Sequence, residues 1–168
     1  AVNVSARELG STGFTDRVQA SLDDHGLGAD DLVLEFTEAT VIGADRATLR
    51  AVEWLHRLGV GLSIDDFGTG YSSLAYLKRF PIRSAKLDRT FVGDSASTDA
   101  EIVRAVVTLG RSLGLEVVAE GIETLDQLRT LEQLGCHFGQ GFLLGHPAPA
   151  TDLRFDGPVL PALLPRQD

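Results

Sequence analysis

Asp65 and Asp66 stand side by side in the stretch SIDDFGTGYSSL, directly after an apolar run, and Gly68 and Gly70 follow them. Paired carboxylates at the end of a buried strand are the donors a hard divalent cation takes, and the glycines let the next loop bend close to them. Comparable residues recur wherever an apolar run ends: Asn3, then Glu35 and Glu38, then Lys86 and Asp88, then Glu120 and Glu123, then Gln140. Any one of these alone is more often a solvated strand end or a helix cap. Together they would crowd seven carboxylates (Glu35, Glu38, Asp65, Asp66, Asp88, Glu120, Glu123) round one mouth, which is strongly unfavourable without cations.

The donor types narrow the cation. There is no His-x-His or His-Glu-x-x-His pattern, and His25, His56, His137 and His146 are scattered, so magnesium or manganese is expected and zinc is not. Adjacent Asp65 and Asp66 point to two ions, with one carboxylate on each or one bridging. Two ions roughly 3.5–4 Å apart clamp the attacking and leaving oxygens of a phosphoryl displacement. Lys86 leaves two chemistries open: an ammonium that orients water or holds a phosphate oxygen, or an amine that forms an imine. The ammonium is favoured, because Lys86 lies two residues from Asp88 on the same strand face, among carboxylates that keep an amine charged.

Six short apolar segments must position these groups: AVNVS, LVLEFTE, VGLSIDD, SAKLD, EVVAE and FGQGFLL. Helical periodicity lies between them, in Ala51, Trp54, Leu55 and Leu58, in Ile102, Val103, Val106, Val107 and Leu113, and in Leu125, Leu128, Leu131 and Leu134. Gly59, Gly114 and Gly135 mark the helix ends. Such alternation is the α/β class with parallel strands, either an open doubly wound sheet or a barrel. An open sheet places its ligands at one crevice, on two or three strand ends. Here all six ends carry a polar group, so the expected fold is a (β/α)8 TIM-like barrel, which brings every strand end round one mouth.

A complete barrel takes about 250 residues, so this chain is expected to supply about six βα units of an N-terminally truncated one. The partial barrel is assigned to residues 1–156 and an irregular tail with Pro158, Pro161 and Pro165 to residues 157–168. Unpaired strand edges are then expected around Val2–Val4 and near Phe138–Phe142, with association or instability as their consequence.

Composition excludes further classes. The 168 residues are 43% hydrophobic, enough for one core, and carry a formal charge of −9, which repels nucleic acid polymers and anionic membranes unless cations intervene. No apolar run approaches the roughly 20 residues of a membrane helix, so direct membrane insertion is not expected. The single cysteine, Cys136, excludes an internal disulfide and fits a cytoplasmic location.

The segments SIDDFGTGYSSLAYLKRFPIRSAKLDRTFV, VVAEGIETLDQLRTLEQLGC and QGFLLGHP, with VNVSA and LEFTEA ahead of them, resemble the EAL-domain family of cyclic di-GMP phosphodiesterases of bacterial signalling. The resemblance runs in unbroken order from Val2 to about Pro149. It implies a (β/α)8-type barrel and magnesium- or manganese-dependent hydrolysis of cyclic di-GMP to linear pGpG. By motif it implies that Asn3, Glu35, Asp65, Asp66 and Glu120 are metal ligands, with Glu120 also a candidate base. It sets Lys86 near the nucleophilic water with Asp88 beside it, and makes Glu38, Glu123, Gln140, Gly68 and Gly70 supports of the site or its loop.

The resemblance also implies frequent fusion to sensory or cyclase domains and a dimer contact over Gly68–Leu77. Departures from the family pattern fall at Phe36, Ala39, Phe142 and His137, and none removes a ligand. The Glu-Ala-Leu motif itself belongs ahead of Ala1 in the family's order, so the chain by itself is expected to be weakly active or inactive. The alternative class is a non-catalytic cyclic di-GMP-binding or protein-interaction module. Retention of every inspectable ligand favours a phosphodiesterase.

Overall fold

The computed structural model describes residues 1–68, 80–93, 97–136 and 138–153. Gly70, His137, most of the expected dimer contact and the expected tail from residue 157 lie outside the described residues.

Among the described residues, six strands form one parallel sheet in sequential order: β1 (Val2–Asn3), β2 (Val33–Thr37), β3 (Gly61–Phe67), β4 (Ser84–Leu87), β5 (Glu116–Ala119) and β6 (Phe138–Gly139). The order never reverses, so there is no topological switch point of the doubly wound kind, and the sheet follows barrel connectivity. β1 and β6 are its two edges, and Val2 and Phe138 lie exposed on them. All six strands fall on the apolar segments that the sequence marks.

Helices alternate with the strands: α1 (Ala6–Leu9), α2 (Phe14–His25), α3 (Glu38–Ile42), α4 (Arg46–Leu58), α5 (Ser97–Leu113) and α6 (Leu125–Gln133). α4 shows why its sequence folds this way. The Asp45 side chain accepts from the Thr48 N–H at 2.8 Å and so satisfies a free donor of the first turn. Thr48, Ala51, Val52 and Leu55, at helical spacing, bury one face, and the helix stops at Gly59 in the left-handed region. α1, α2 and α3 carry weaker apolar periodicity: α1 is one short turn closed by a Ser5–Glu8 capping box, and α2 buries only Leu22.

Strand alternation then divides the sheet into two faces. Leu34 and Phe36 of β2, Leu62 and Ile64 of β3, and Ala85 of β4 pack with Leu22, Val52 and Leu55 of the helices in one buried cluster. Leu87, Val117 and Ala119 continue that face in a second cluster with Val103 and Val107 of α5 and Leu131 of α6. By parity, the opposite face receives Glu35, Ser63, Asp65, Ser84, Lys86 and Val118. The apolar set is covered by helices, and the polar set lies on the opposite face.

Candidate functional site

The register between strands converts that polar face into a constellation. Glu35 is level with Ser63, Ser63 with Ser84, and Thr37 with Asp65, while Lys86 is level with Val118, two residues before Glu120. The four charged groups therefore come from four neighbouring strands at their C-terminal ends. The Lys86 Nζ donates to Glu35 Oε2 at 2.9 Å and to Asp65 Oδ1 at 3.0 Å, and lies 2.6 Å from Glu120 Oε1. The lysine side chain is only 9% exposed, so the interaction is largely withdrawn from water. An ammonium has three N–H donors, and each meets a carboxylate here.

Charge states follow from this packing. Burial pulls the Lys86 amine down, but the hydrogen bonds to Glu120, Glu35 and Asp65 outweigh it, and the net shift is upward: the group is held as an ammonium. An imine requires the neutral amine, so the surroundings of Lys86 oppose that alternative. The Glu120 carboxyl is raised as well, which for an acid favours the neutral form. Its burial raises it most, the contact with Lys86 lowers it, and the negative charges of Asp65 and Glu35 add to the rise. One cation is shared among three carboxylates, and burial favours the neutral form of Glu120.

Asp65 and Asp66 would face opposite sides of a regular strand. The β3–β4 register shifts between Ile64 and Phe67, and Asp66 has φ of 55°, left-handed backbone that a non-glycine residue rarely adopts. This bulge breaks the alternation at the pair, and the Asp66 N–H folds back onto Asp65 Oδ1 at 3.2 Å. The conformation costs roughly 1–2 kcal/mol for a residue with a Cβ. Asp66→Gly is therefore expected to be more stable than Asp66→Ala by about 1 kcal/mol, a difference of roughly 2–4 °C in thermal midpoint for a chain of this size. Both variants lose the carboxylate, so comparing their melting curves isolates the backbone. Equal midpoints would show that the bulge carries no strain.

The remaining sequence-predicted residues are placed less centrally. Asn3 is exposed on β1 and level with Glu35, so it shares the polar face from the sheet edge. β4 ends at Leu87, and Asp88 caps the short 3-10 turn Arg89–Phe91 by accepting from the Thr90 N–H at 2.9 Å, hydrogen bonding that holds its carboxyl below the ordinary range. Glu123 is exposed, its N–H bonded to Gln127 Oε1 ahead of α6. Gln140 follows β6, with its backbone stitched to Ala119 and Ile122. Gly68, with φ of 95°, sits against the Phe91 ring, where a Cβ would lie 3.3 Å from a ring carbon.

Glu38 starts α3, is buried, and has no hydrogen-bond partner for either carboxylate oxygen among the described residues. Sequence reasoning missed Ser63 and Ser84, the small buried polar residues two positions before Asp65 and Lys86 on the same face. Their strand parity was the available signal. They leave room on a face that larger side chains would fill.

Whether these donors fit a metal depends on chemistry and arrangement together. The donor set is all oxygen, and both buried Glu38 oxygens lack a hydrogen-bond partner among the described residues, a chemistry suited to a hard divalent ion. As arranged, however, no group of three or more His, Cys, Asp or Glu side chains among the described residues is ready to hold one. The carboxylates that meet do so around the ammonium of Lys86.

Comparison with known proteins adds an independent line. The family model described as "EAL domain" matches residues 1–147. The chain is 51% identical over 155 residues to the bifunctional diguanylate cyclase/cyclic di-GMP phosphodiesterase MucR of Pseudomonas aeruginosa, covering 91% of this chain and 23% of that protein. It is 44% identical over 155 residues to the cyclic di-GMP phosphodiesterase NbdA of the same organism, covering 91% of this chain and 20% of that protein. The chain thus spans about a quarter or less of the length of these relatives.

Among solved structures, the MucR phosphodiesterase in complex with c-di-GMP superposes with a TM-score of 0.84 at 50% identity, over 89% of this chain and 67% of that one. Klebsiella pneumoniae BlrP1 in a manganese/cy-diGMP complex superposes with a TM-score of 0.80 at 36% identity, over 86% of this chain and 38% of that one.

Proposed function

The chain belongs to the EAL domain family, and from that premise we propose that it forms the metal- and substrate-binding wall of a phosphodiesterase that opens cyclic di-GMP to linear pGpG. The observation that carries this reading is the convergence of Glu35, Asp65 and Glu120 on Lys86 from four adjacent strand ends. Asn3, Glu35, Asp65, Asp66 and Glu120 are the residues proposed to hold magnesium or manganese, two ions in all. When bound, such ions activate water and neutralise the phosphodiester.

The chain's own groups do the rest. Lys86, fixed as an ammonium, is the group proposed to hold a phosphate oxygen or the attacking water, in exchange for one of its carboxylate contacts. Glu120, whose carboxyl burial raises, is placed to accept that water's proton. Asp88 is a positioning residue, because its cap fixes the chain that leaves β4. Gly68 lets the chain that leaves β3 pack against the Phe91 ring of that turn.

Further expectations attach to this reading. No described helix is long and apolar enough to cross a membrane. The MucR relative is named as both cyclase and phosphodiesterase, which supports fusion to a cyclase domain as one arrangement of the parent protein. A homodimer through the segment after β3, a cytoplasmic location and weak turnover by this chain alone complete the proposal. The non-catalytic binding module remains the second reading, favoured by any outcome in which binding occurs without hydrolysis in longer forms of the protein.

The test is a titration of cyclic di-GMP into the 168-residue chain with Mn²⁺ and with a chelator, followed by separation of linear from cyclic dinucleotide. Binding that requires Mn²⁺, with slow linearisation, is expected. Absence of binding in the presence of metal would overturn the reading.

A further inference from the structure

Lys86 occupies the place where a cation is wanted. Its Nζ lies 2.6–3.0 Å from oxygens of Glu120, Glu35 and Asp65, three of the groups proposed above as metal ligands. These carboxylates come from β2, β3 and the residue after β5, and the intervening β4 supplies the ammonium. Without that positive charge, three carboxylates would face one another in a partly buried site, an arrangement that repels itself. The lysine therefore assembles the cluster as well as neighbouring it.

That assembly has a consequence for metal entry. A divalent ion held by these carboxylates would repel an ammonium at contact distance. The ammonium of Lys86 faces one oxygen of each of the three carboxylates, so a metal that took those same oxygens would have to break these contacts. Resting on the reading of this site as a divalent-metal site, we propose that Lys86 is a resident counter-ion which holds the ligand carboxylates together in the metal-free chain and must withdraw from them when metal loads. The lysine thereby sets the metal affinity, separately from anything it does to water or phosphate.

The two roles predict opposite effects when the charge is removed. A lysine that only orients water beside bound metal leaves metal affinity unchanged when replaced, and one that only packs lowers stability whether or not metal is present. A counter-ion displaced by metal lowers metal-free stability and raises affinity. The experiment compares the parent chain with Lys86→Met by calorimetric titration of MnCl₂, by loss of the free Mn²⁺ resonance signal, and by thermal melting with and without Mn²⁺.

The expected result is a lower metal-free midpoint for Lys86→Met, Mn²⁺ binding at least ~10-fold tighter than in the parent, and a larger Mn²⁺-induced rise in midpoint. If Lys86→Met does not fold, Lys86→Gln carries the same comparison, because its amide is neutral and still donates to the carboxylates. Equal or weaker Mn²⁺ binding by the folded variant overturns the counter-ion role while leaving the metal site intact. Failure of both parent and variant to bind Mn²⁺ overturns the metal-site reading, and this proposal with it.

Discussion

Glu35→Gln is expected to weaken Mn²⁺ binding by about 10²-fold and cyclic di-GMP hydrolysis by about 10³-fold, with little change in fold. The substitution keeps the side chain's size and an oxygen that can accept from Lys86, so the 2.9 Å contact to Nζ survives in weakened form. What is lost is one full negative charge from a site whose affinity for a hard cation depends on how many carboxylates it presents. The larger factor for hydrolysis corresponds to about 4 kcal/mol of transition-state stabilisation, the scale on which bound metal acts.

Calorimetry with Mn²⁺ and product separation in the longest form of the protein that turns over check the two numbers. Full activity in Glu35→Gln would remove Glu35 from the proposed machinery. A matched loss in a surface control such as Glu101→Gln would show that overall charge, not the site, is responsible.

Gly141→Ala is the second large effect, and it acts on structure first. The loop after β6 is laced to the residues on either side of Glu120: Gln140 N–H donates to Ala119, Ile122 N–H to Gln140, and Leu143 N–H to Ile122, at 2.8–3.1 Å. These bonds bring two backbones so close that a Cβ on Gly141 would overlap the main-chain N and O of Ile122. Backbone cannot rotate away as a side-chain tip can, so the loop must peel off or the strand end must shift.

A loss of about 3 kcal/mol is expected, or roughly 6–12 °C in thermal midpoint for a chain of this length. Gly145→Ala, where a Cβ meets no described atom within 4 Å, should shift the midpoint little. Similar midpoints for the two variants would show that the lacing of loop to strand end is not maintained in solution. Because Glu120 lies between the laced residues Ala119 and Ile122, Gly141→Ala should also disturb its carboxylate.

The sequence by itself determined the strands, the three strongly periodic helices α4, α5 and α6, the class of the fold and the polar strand ends, because each is written in local periodicity. An apolar run that ends in Asp, Glu or Lys reads the same in isolation as in the folded chain. Long motifs in unbroken order also carried the family resemblance, from VNVSA to QGFLLGHP. The short helices α1 and α3 and the weakly amphipathic α2 were not singled out, since one turn or a single buried leucine leaves no periodic trace.

Tertiary structure alone decided which charges meet. Residues 35, 65, 86 and 120 converge only because four parallel strands pair in one register, and register is set by contacts between distant segments that no local pattern records. A shift of one residue in any of those pairings would send its charged side chain to the face covered by helices. The same holds for the bulge that breaks the Asp65–Asp66 alternation and for the buried oxygens of Glu38, which have no hydrogen-bond partner among the described residues. Charge and residue type said that a cation belonged at this mouth; only the packing of β4 between β3 and β5 showed that Lys86 already supplies one.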